Sequence, residues 1–261
     1  GHGSRCVVTP ASCCCPNRLH NEFSLATTVT LMTRYKWHIR HCEESDAGGN
    51  SRRVSVAIPS SVGATTMVVY CADGQVVEAL AAELTSSETR DSPILIGVHS
   101  IEAVRAQEYL LSSNQYFLAH ETFFSNELRW WAQSEYHVPT ERDNSVVFGF
   151  SNGGAFSLAT ALRNPQRYAA AFSFSTPRLP MLPAIPPPGG PKPSVYLAAG
   201  NQGPEKYIRK NVLKLSRWLR QNGVPIEVSE KEARHTLDFW ASEFVVAVGW
   251  LNSRARSNGF P

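Results

Sequence analysis

The sequence lacks several features that would place it in other classes of protein. No apolar run reaches the roughly 18 residues that a membrane-spanning helix needs, so we expect no membrane partner. Charged residues make up 18% of the chain, the formal net charge is +3, and Lys and Arg are not concentrated in one run. Nucleic-acid-binding proteins usually do concentrate them, so we expect no nucleic-acid partner either.

Cysteine is nearly absent from the body of the chain. Five of the six cysteines fall in the first 42 residues, and three of those five are consecutive, at Cys13–Cys15. Neighbouring cysteines bridge each other poorly, and no Cys-x-x-Cys pairs indicate a metal site. We therefore expect a reducing, cytoplasmic compartment, although a signal peptide already removed would leave no trace. Residues 1–22 have little periodicity and are expected to be a loose N-terminal leader or a vector-derived segment, followed by a single domain over 23–261.

Strand and helix patterns alternate along most of the chain. Residues 27–58 contain two extended segments around the turn formers of 45–50, which predicts a hairpin. Short, continuous apolar runs follow, of the kind that parallel strands buried on both faces require, at 66–71, 94–98, 146–150, 170–174 and 195–199. The segments between and after them favour helices, at 76–84, 121–134, 154–163, 205–222 and 237–251. This alternation predicts a mostly parallel sheet covered by helices on both faces.

One segment interrupts the alternation. Residues 177–193 contain eight prolines and two glycines, a composition that excludes a regular helix or a central strand. Because the segment joins two predicted strands, we expect it to form an extended rim over a pocket, with a plain surface loop as the alternative.

The residues Gly149-Phe150-Ser151-Asn152-Gly153 fit the pattern G-x-S-x-G and lie between a predicted strand and a predicted helix. In that context the pattern indicates a nucleophile elbow, a sharp turn that exposes the serine hydroxyl above the sheet. Ser151 is therefore the candidate nucleophile.

A serine nucleophile needs a base, and in this arrangement the acid and then the histidine follow the serine along the chain. Of the eight histidines only His235 follows Ser151, so it is the candidate base. No aspartate lies between the two. Glu205 is the carboxylate in the loop after the 195–199 strand, and we favour it as the acid. Two alternatives stay open: Glu205 as a glutamate that only stabilises a helix N-terminus, and a serine–histidine dyad without an acid.

An oxyanion hole needs two backbone N–H groups. Asn152, directly after the nucleophile, is one candidate donor, and Gln75 is the other because it follows the turn at Asp73-Gly74 after an early buried strand. An ordinary strand-to-helix turn is the alternative for Asp73–Gln75.

With these residues placed, the chain resembles the Putative esterase family of α/β-hydrolases, which includes enterochelin (siderophore) esterases, S-formylglutathione hydrolases and mycolyltransferases. The resemblance runs from about residue 53 to 251 and rests mainly on four segments: 70–75, 105–110, 120–128 and 149–156. Residues 235–240 are similar to the family's GHD-x-x-x-W segment, with Arg234 in place of its glycine. Relatives often place a glutamate directly before a proline in the acid loop, whereas here Gly203 precedes Pro204 and Glu205 follows.

The resemblance implies an α/β-hydrolase fold without a large cap domain, and a serine carboxylesterase that acts on a siderophore-type or other small-molecule ester through an acyl-enzyme. It implies no metal or organic cofactor and leaves a homodimer open. Acyl transfer, thioester hydrolysis and a catalytically dead binding module are the alternatives. The family's second oxyanion donor follows its Asp-Gly, which favours Gln75. Asp73, Gly74 and Arg105 are candidate substrate-binding residues, although Arg105, like Tyr109 and Glu121, is expected more often to support the site than to touch substrate.

Substrate identity is the least determined property. Aromatic residues between 116 and 131 are candidates for a pocket lining, though such residues on a helix more often belong to the core: Tyr116, Phe117, Phe123, Phe124, Trp130 and Trp131. Catecholate substrates are anionic and would require a basic rim, for which Arg105 and Arg178 are the candidates.

Overall fold

The computed structural model describes residues 34–43, 51–87, 92–112 and 115–257. The predicted leader, most of the early cysteines and the turn at 45–50 lie outside these residues. Helices and strands follow in this order: β1 (Tyr35–Glu43), β2 (Ser51–Pro59), β3 (Val68–Cys71), α1 (Val77–Ser86), β4 (Ile94–Val98), α2 (Arg105–Tyr109), α3 (Gln115–Thr122), α4 (Leu128–Tyr136), β5 (Ser145–Phe150), α5 (Asn152–Arg163), β6 (Ala170–Phe174), β7 (Ser194–Gly200), α6 (Glu205–Gln221), β8 (Ile226–Lys231) and α7 (Leu237–Ser257).

The eight strands form one sheet in the order β1-β2-β4-β3-β5-β6-β7-β8. β1 pairs antiparallel with β2, and β2 pairs antiparallel with β4, whereas every pair from β4 to β8 is parallel. The predicted hairpin arms and the mostly parallel sheet are therefore confirmed. The carboxyl ends of the parallel strands lie at one edge of the sheet, and the segments that follow β3, β4, β5, β7 and β8 carry the candidate site residues.

Alternate residues of each buried strand supply two separate cores. On one face, residues such as Tyr70 and Val147 pack with α2 to α6 in a single cluster. On the other face, Val69, Phe148 and their neighbours pack against α1 and α7. Because both faces are covered, the central strands are apolar throughout, which is why they could be recognised in the sequence.

The helix predicted for 121–134 is part of a longer helical run. α3 begins six residues earlier, and a π-helical turn at Phe123–Glu127 joins it to α4. The short helix α2 was not predicted. As expected from its prolines, the 177–193 segment contains neither helix nor strand. Within the described residues, no helix is both long and apolar enough to cross a membrane.

Several basic side chains of α6 lie on one face of the helix. Exposed basic side chains lie three or four residues apart along one side of this helix, at Lys206, Lys210, Lys214 and Arg217. Residues with this spacing share a helix face, a relation that a search for consecutive basic residues misses.

His120 is an unusual member of the core. It is 1% exposed, its ring lies 5.0 Å from that of Phe156 and 5.5 Å from that of Tyr109, and neither ring nitrogen has a hydrogen-bond partner among the described residues. Burial and the nearby charge of Arg52 lower the pKa of His120 to about 3. The imidazole is therefore neutral in the folded protein across the usual pH range.

This histidine should make stability depend on pH. Its folded pKa is depressed, so below the unfolded value of about 6.5 the unfolded chain binds one more proton, and stability falls as pH falls. We expect His120→Phe and His120→Leu to remove about 1.4 kcal/mol of pH dependence per pH unit below that value. Chemical denaturation at pH 5 and pH 8 measures this difference. If the variants and the wild type lost the same free energy of unfolding between pH 8 and pH 5, the expectation would be contradicted.

Candidate active site

Ser151 lies in the sharp turn between β5 and α5. Its backbone has φ 53° and ψ −128°, a positive φ that non-glycine residues rarely adopt and that costs about 1–3 kcal/mol. Its N–H donates to the carbonyl of Phe174, at the end of the neighbouring strand β6, at 2.9 Å. The turn is thus held from the next strand, and Ser151 lies in the wall of a cleft.

Glycines around Ser151 allow α5 to begin in close contact with the ends of β5 and β6. A Cβ on Gly149 would lie 2.1 Å from the carbonyl oxygen of Gly153. A Cβ on Gly154 would lie 2.6 Å from the carbonyl oxygen of Phe174, and one on Gly153 would lie 2.7 Å from a carboxylate oxygen of Asp73. Real Cβ atoms essentially never approach so closely. Gly149 and Gly154 meet backbone atoms, so these two positions require glycine, whereas Gly153 meets the end of the Asp73 side chain.

The structure brings His235 and Glu205 together. Oε1 of Glu205 lies 2.5 Å from Nδ1 of His235, and Oε2 accepts the N–H of Gly200 at 2.9 Å. Glu205 is fully buried in the first turn of α6, where the helix dipole favours a carboxylate. Burial raises the pKa of Glu205, but hydrogen bonds from His235, Ser175 and Gly200 outweigh it, and the pKa is lowered.

This contact decides which nitrogen of His235 carries hydrogen. An ionised carboxylate can only accept a hydrogen bond, so Nδ1 of His235 carries the hydrogen and Nε2 keeps its lone pair. The His235 side chain is 27% exposed and forms part of the wall of the same cleft as Ser151.

Trp240 holds the histidine from the side. Its ring meets the imidazole of His235 edge-on, with 4.7 Å between centroids, and stacks on Phe150 at 4.0 Å. Its Nε1–H donates to the buried Oγ of Ser175 at 2.9 Å. Ser175 itself has a positive φ of 48°. The imidazole therefore has Glu205 at one nitrogen and an indole along one side.

Asp73 and Arg105 form a two-point ion pair beside the elbow. Nε and Nη2 of Arg105 donate to Oδ1 and Oδ2 of Asp73, each at 2.8 Å, and Nη2 also donates to the carbonyl of Phe150 at 3.4 Å. Burial lowers the pKa of Arg105, but the hydrogen bonds and charge of Asp73 outweigh it, so the pKa is raised. The guanidinium lies over the Tyr109 ring at 4.9 Å.

The turn after β3 is fastened by the side chain of Gln75. Its Nε2 donates to Oγ and to the carbonyl of Ser100, at 2.9 and 3.0 Å, and its Oε1 accepts the Ser100 N–H at 3.1 Å. A Cβ on Gly74 would lie 2.1 Å from the carbonyl of Gly97. Gln75 and Asn152 both lie in the first turn of a helix, where backbone N–H groups have no partner within the helix.

The cleft has a volume of about 370 Å³. Its wall is formed by Asp73, Gln75, Val76, Ser100, Arg105, Phe150, Ser151, His235 and Trp240. Of the remaining candidates, Asn152 and Gly74 adjoin lining residues in the chain, and Glu205 lies behind His235. Among the described residues, no group of three or more His, Cys, Asp or Glu side chains is arranged to hold a metal ion.

Several residues considered from the sequence lie elsewhere. None of the aromatic candidates between 116 and 131 lines the cleft; Phe117, Phe123 and Phe124 are in the core. Glu121 binds Arg163 and Asn164. The 177–193 segment, including Arg178, supplies no lining residue, so the rim expectation is wrong: Leu179 and Ile185 pack against the core instead.

Sequence reasoning missed the parts played by Ser100 and Ser175. Each follows the carboxyl end of a strand, Ser100 two residues after β4 and Ser175 directly after β6. Loops at that edge of a parallel sheet gather functional residues, and this is the signal by which they could have been found.

The glycine requirement predicts the effect of Gly149→Ala. The added Cβ would meet a backbone carbonyl oxygen at 2.1 Å, and backbone cannot move aside as the end of a side chain can, so we expect a loss of about 3 kcal/mol or more in the free energy of unfolding. Gly63→Ala is the matched control, because nothing lies within 4 Å of a Cβ built there. Urea denaturation compares the two variants, and a Gly149→Ala protein as stable as the Gly63→Ala protein would refute the requirement.

Solved structures share this architecture. A ferulic acid esterase matches with a TM-score of 0.62 and 16% identity, over 84% of this chain and 98% of its own. An S-formylglutathione hydrolase from Staphylococcus aureus matches with a TM-score of 0.60 and 13% identity, over 83% and 98%. An enterochelin esterase from Shigella flexneri matches with a TM-score of 0.64 and 19% identity, over 84% of this chain but only 57% of its own. The α/β-hydrolase fold is thereby confirmed.

Curated protein sequences contain no match to this chain. A family comparison does find one: the family described as Putative esterase matches residues 45–235. Its description and the structures above support ester hydrolysis as the reaction. Because the matched residues make up more than half of the sequence, the chain belongs to the Putative esterase family.

Proposed function

We propose that this protein is a serine carboxylesterase in which Ser151, His235 and Glu205 form the catalytic triad. The observation that carries the proposal is the buried contact of Glu205 with Nδ1 of His235, in a cleft that has both His235 and the strained turn at Ser151 in its wall. A carboxylate in this position orients the imidazole and stabilises its protonated form.

Ser151 attacks the ester carbonyl while Nε2 of His235 takes the hydroxyl proton. The carbonyl oxygen becomes an oxyanion, which the N–H groups of Asn152 and Gln75 bind, and the partial positive charge at the start of α5 stabilises it further. His235 then passes its proton to the leaving alcohol, and the acyl group remains on Ser151. Water then attacks the acyl-enzyme while His235 takes its proton, and His235 returns that proton to the oxygen of Ser151 as the carboxylic acid leaves.

The neighbours of the triad support these roles. Trp240 and Glu205 restrict the imidazole from two directions, and the three hydrogen bonds between Gln75 and Ser100 restrain the turn that carries the second oxyanion donor. A rigid arrangement of this kind lowers the barrier because little reorganisation is left for the reaction itself.

Ser151→Ala tests the nucleophile. We expect kcat/KM for p-nitrophenyl butyrate to fall by about 10⁴-fold or more, since losing the nucleophile removes the acyl-enzyme route. A fluorophosphonate probe should label the wild type and leave the variant unlabelled. Ser61→Ala changes an exposed loop serine and should retain wild-type activity and labelling. Normal turnover by Ser151→Ala would refute the assignment.

Glu205→Gln separates the triad from the dyad. The amide cannot stabilise an imidazolium and favours the wrong tautomer of His235, so we expect kcat to fall by about 10²–10⁴-fold. Glu121→Gln is the matched control, because Glu121 is also a buried, hydrogen-bonded glutamate but lies outside the cleft. Melting temperatures show whether either variant is unfolded. If folded Glu205→Gln stays within a few-fold of wild type while Ser151→Ala and His235→Ala are inactive, the dyad is correct.

A further inference from the structure

The charged groups in the wall of the cleft are already paired. Among the described residues that line the cleft, Arg105 is the only permanently cationic one, and its side chain is 22% exposed. Two of its three nitrogens bind the two carboxylate oxygens of Asp73. A substrate carboxylate or catecholate would have to bind the remaining Nη1 of Arg105, beside a carboxylate that already neutralises the guanidinium.

Contacts with neighbouring residues fix the positions of the Asp73 and Arg105 side chains. The Asp73 side chain is 6% exposed, and the missing Cβ of Gly153 provides the space for one of its oxygens. Arg105 is fixed in turn by the carbonyl of Phe150 and by the ring of Tyr109. Tyr109 donates its hydroxyl hydrogen to the carbonyl of Ala72, the residue before Asp73. The Asp73–Arg105 pair is therefore a fixed part of the wall of the cleft.

The rest of the wall offers no charge to an anion. Gln75 and Ser100 are neutral and bind each other, while Val76, Phe150 and Trp240 contribute apolar or aromatic surface. His235 is neutral when it acts as the base. The carboxylate of Asp73 and the guanidinium of Arg105 cancel, so an anionic substrate would lose its hydration without gaining a countercharge.

We propose that the cleft selects esters with no charge near the scissile bond, and that Asp73 sets this selectivity by occupying Arg105. The inference rests on the proposed esterase function and adds the substrate class to it. Removing the charge of Asp73 frees the guanidinium for an anion, whereas removing the charge of Arg105 leaves an uncovered carboxylate that repels one. The two substitutions should therefore shift selectivity in opposite directions.

The test compares two esters with the same chromophore and chain length, p-nitrophenyl methyl adipate, which is neutral, and p-nitrophenyl hydrogen adipate, which is anionic at pH 7.5. For the wild type we expect kcat/KM to favour the neutral ester by at least about tenfold. In Asp73→Asn this ratio should fall by about tenfold, and in Arg105→Gln it should rise. Added salt should reduce the differences, because it screens charge.

Glu121→Gln removes a carboxylate charge outside the cleft and should leave the ratio unchanged. Both kcat/KM values in a ratio are measured on the same protein, so a partial loss of folded enzyme lowers both equally and leaves the ratio unchanged. Equal rates on the two esters in the wild type, or ratios in Asp73→Asn and Arg105→Gln that match the wild type, would overturn the inference. Either result would leave the esterase proposal intact if the neutral ester is turned over only when Ser151 is present. Failure of the wild type to cleave the neutral ester would refute the esterase proposal itself.

Discussion

The close approach of α5 to the end of β5 is the constraint on which the cleft depends. A Cβ on Gly149 would lie 2.1 Å from the carbonyl oxygen of Gly153, and between these two glycines the chain turns through Ser151 with a positive φ. Hydrogen bonds fix this strained residue on both sides: its N–H donates to the carbonyl of Phe174, and its carbonyl accepts the N–H of Gly154 in the first turn of α5. Ser151, the proposed nucleophile, thus lies beside the N-terminus of α5, where an oxyanion is favoured.

Around this turn the protein buries charged groups only in pairs or with several hydrogen bonds. Glu205 accepts from His235 and Gly200, and Asp73 binds Arg105 at two points. A buried charge without a partner would be costly, so each pair restricts its members to one geometry. The two pairs have different consequences. The Glu205–His235 pair leaves one nitrogen of the imidazole available to the cleft, whereas in the Asp73–Arg105 pair the carboxylate neutralises the charge of the guanidinium.

Chain order and residue pattern were sufficient to predict much of this arrangement. The central strands are buried on both faces, so their apolar runs were easy to recognise, and the order of serine, acid and histidine left His235 as the one candidate base. Glu205 was a weaker candidate because its position relative to Pro204 departs from the pattern of the family. The structure brings it into contact with His235 all the same, because the first turn of α6 begins where β7 ends.

What the sequence by itself determined is the layered fold, the glycine-flanked position of Ser151 between a strand and a helix, and the choice of His235 as the candidate base, because periodicity, glycine spacing and chain order are local or one-dimensional properties. What only the tertiary structure decided is which side chains meet. The proline-rich segment packs on the core instead of rimming the cleft. Ser175 joins Trp240 to Glu205, and Asp73 binds Arg105, 32 residues away. Such contacts depend on how helices pack across the sheet, and no pattern of neighbouring residues records that geometry.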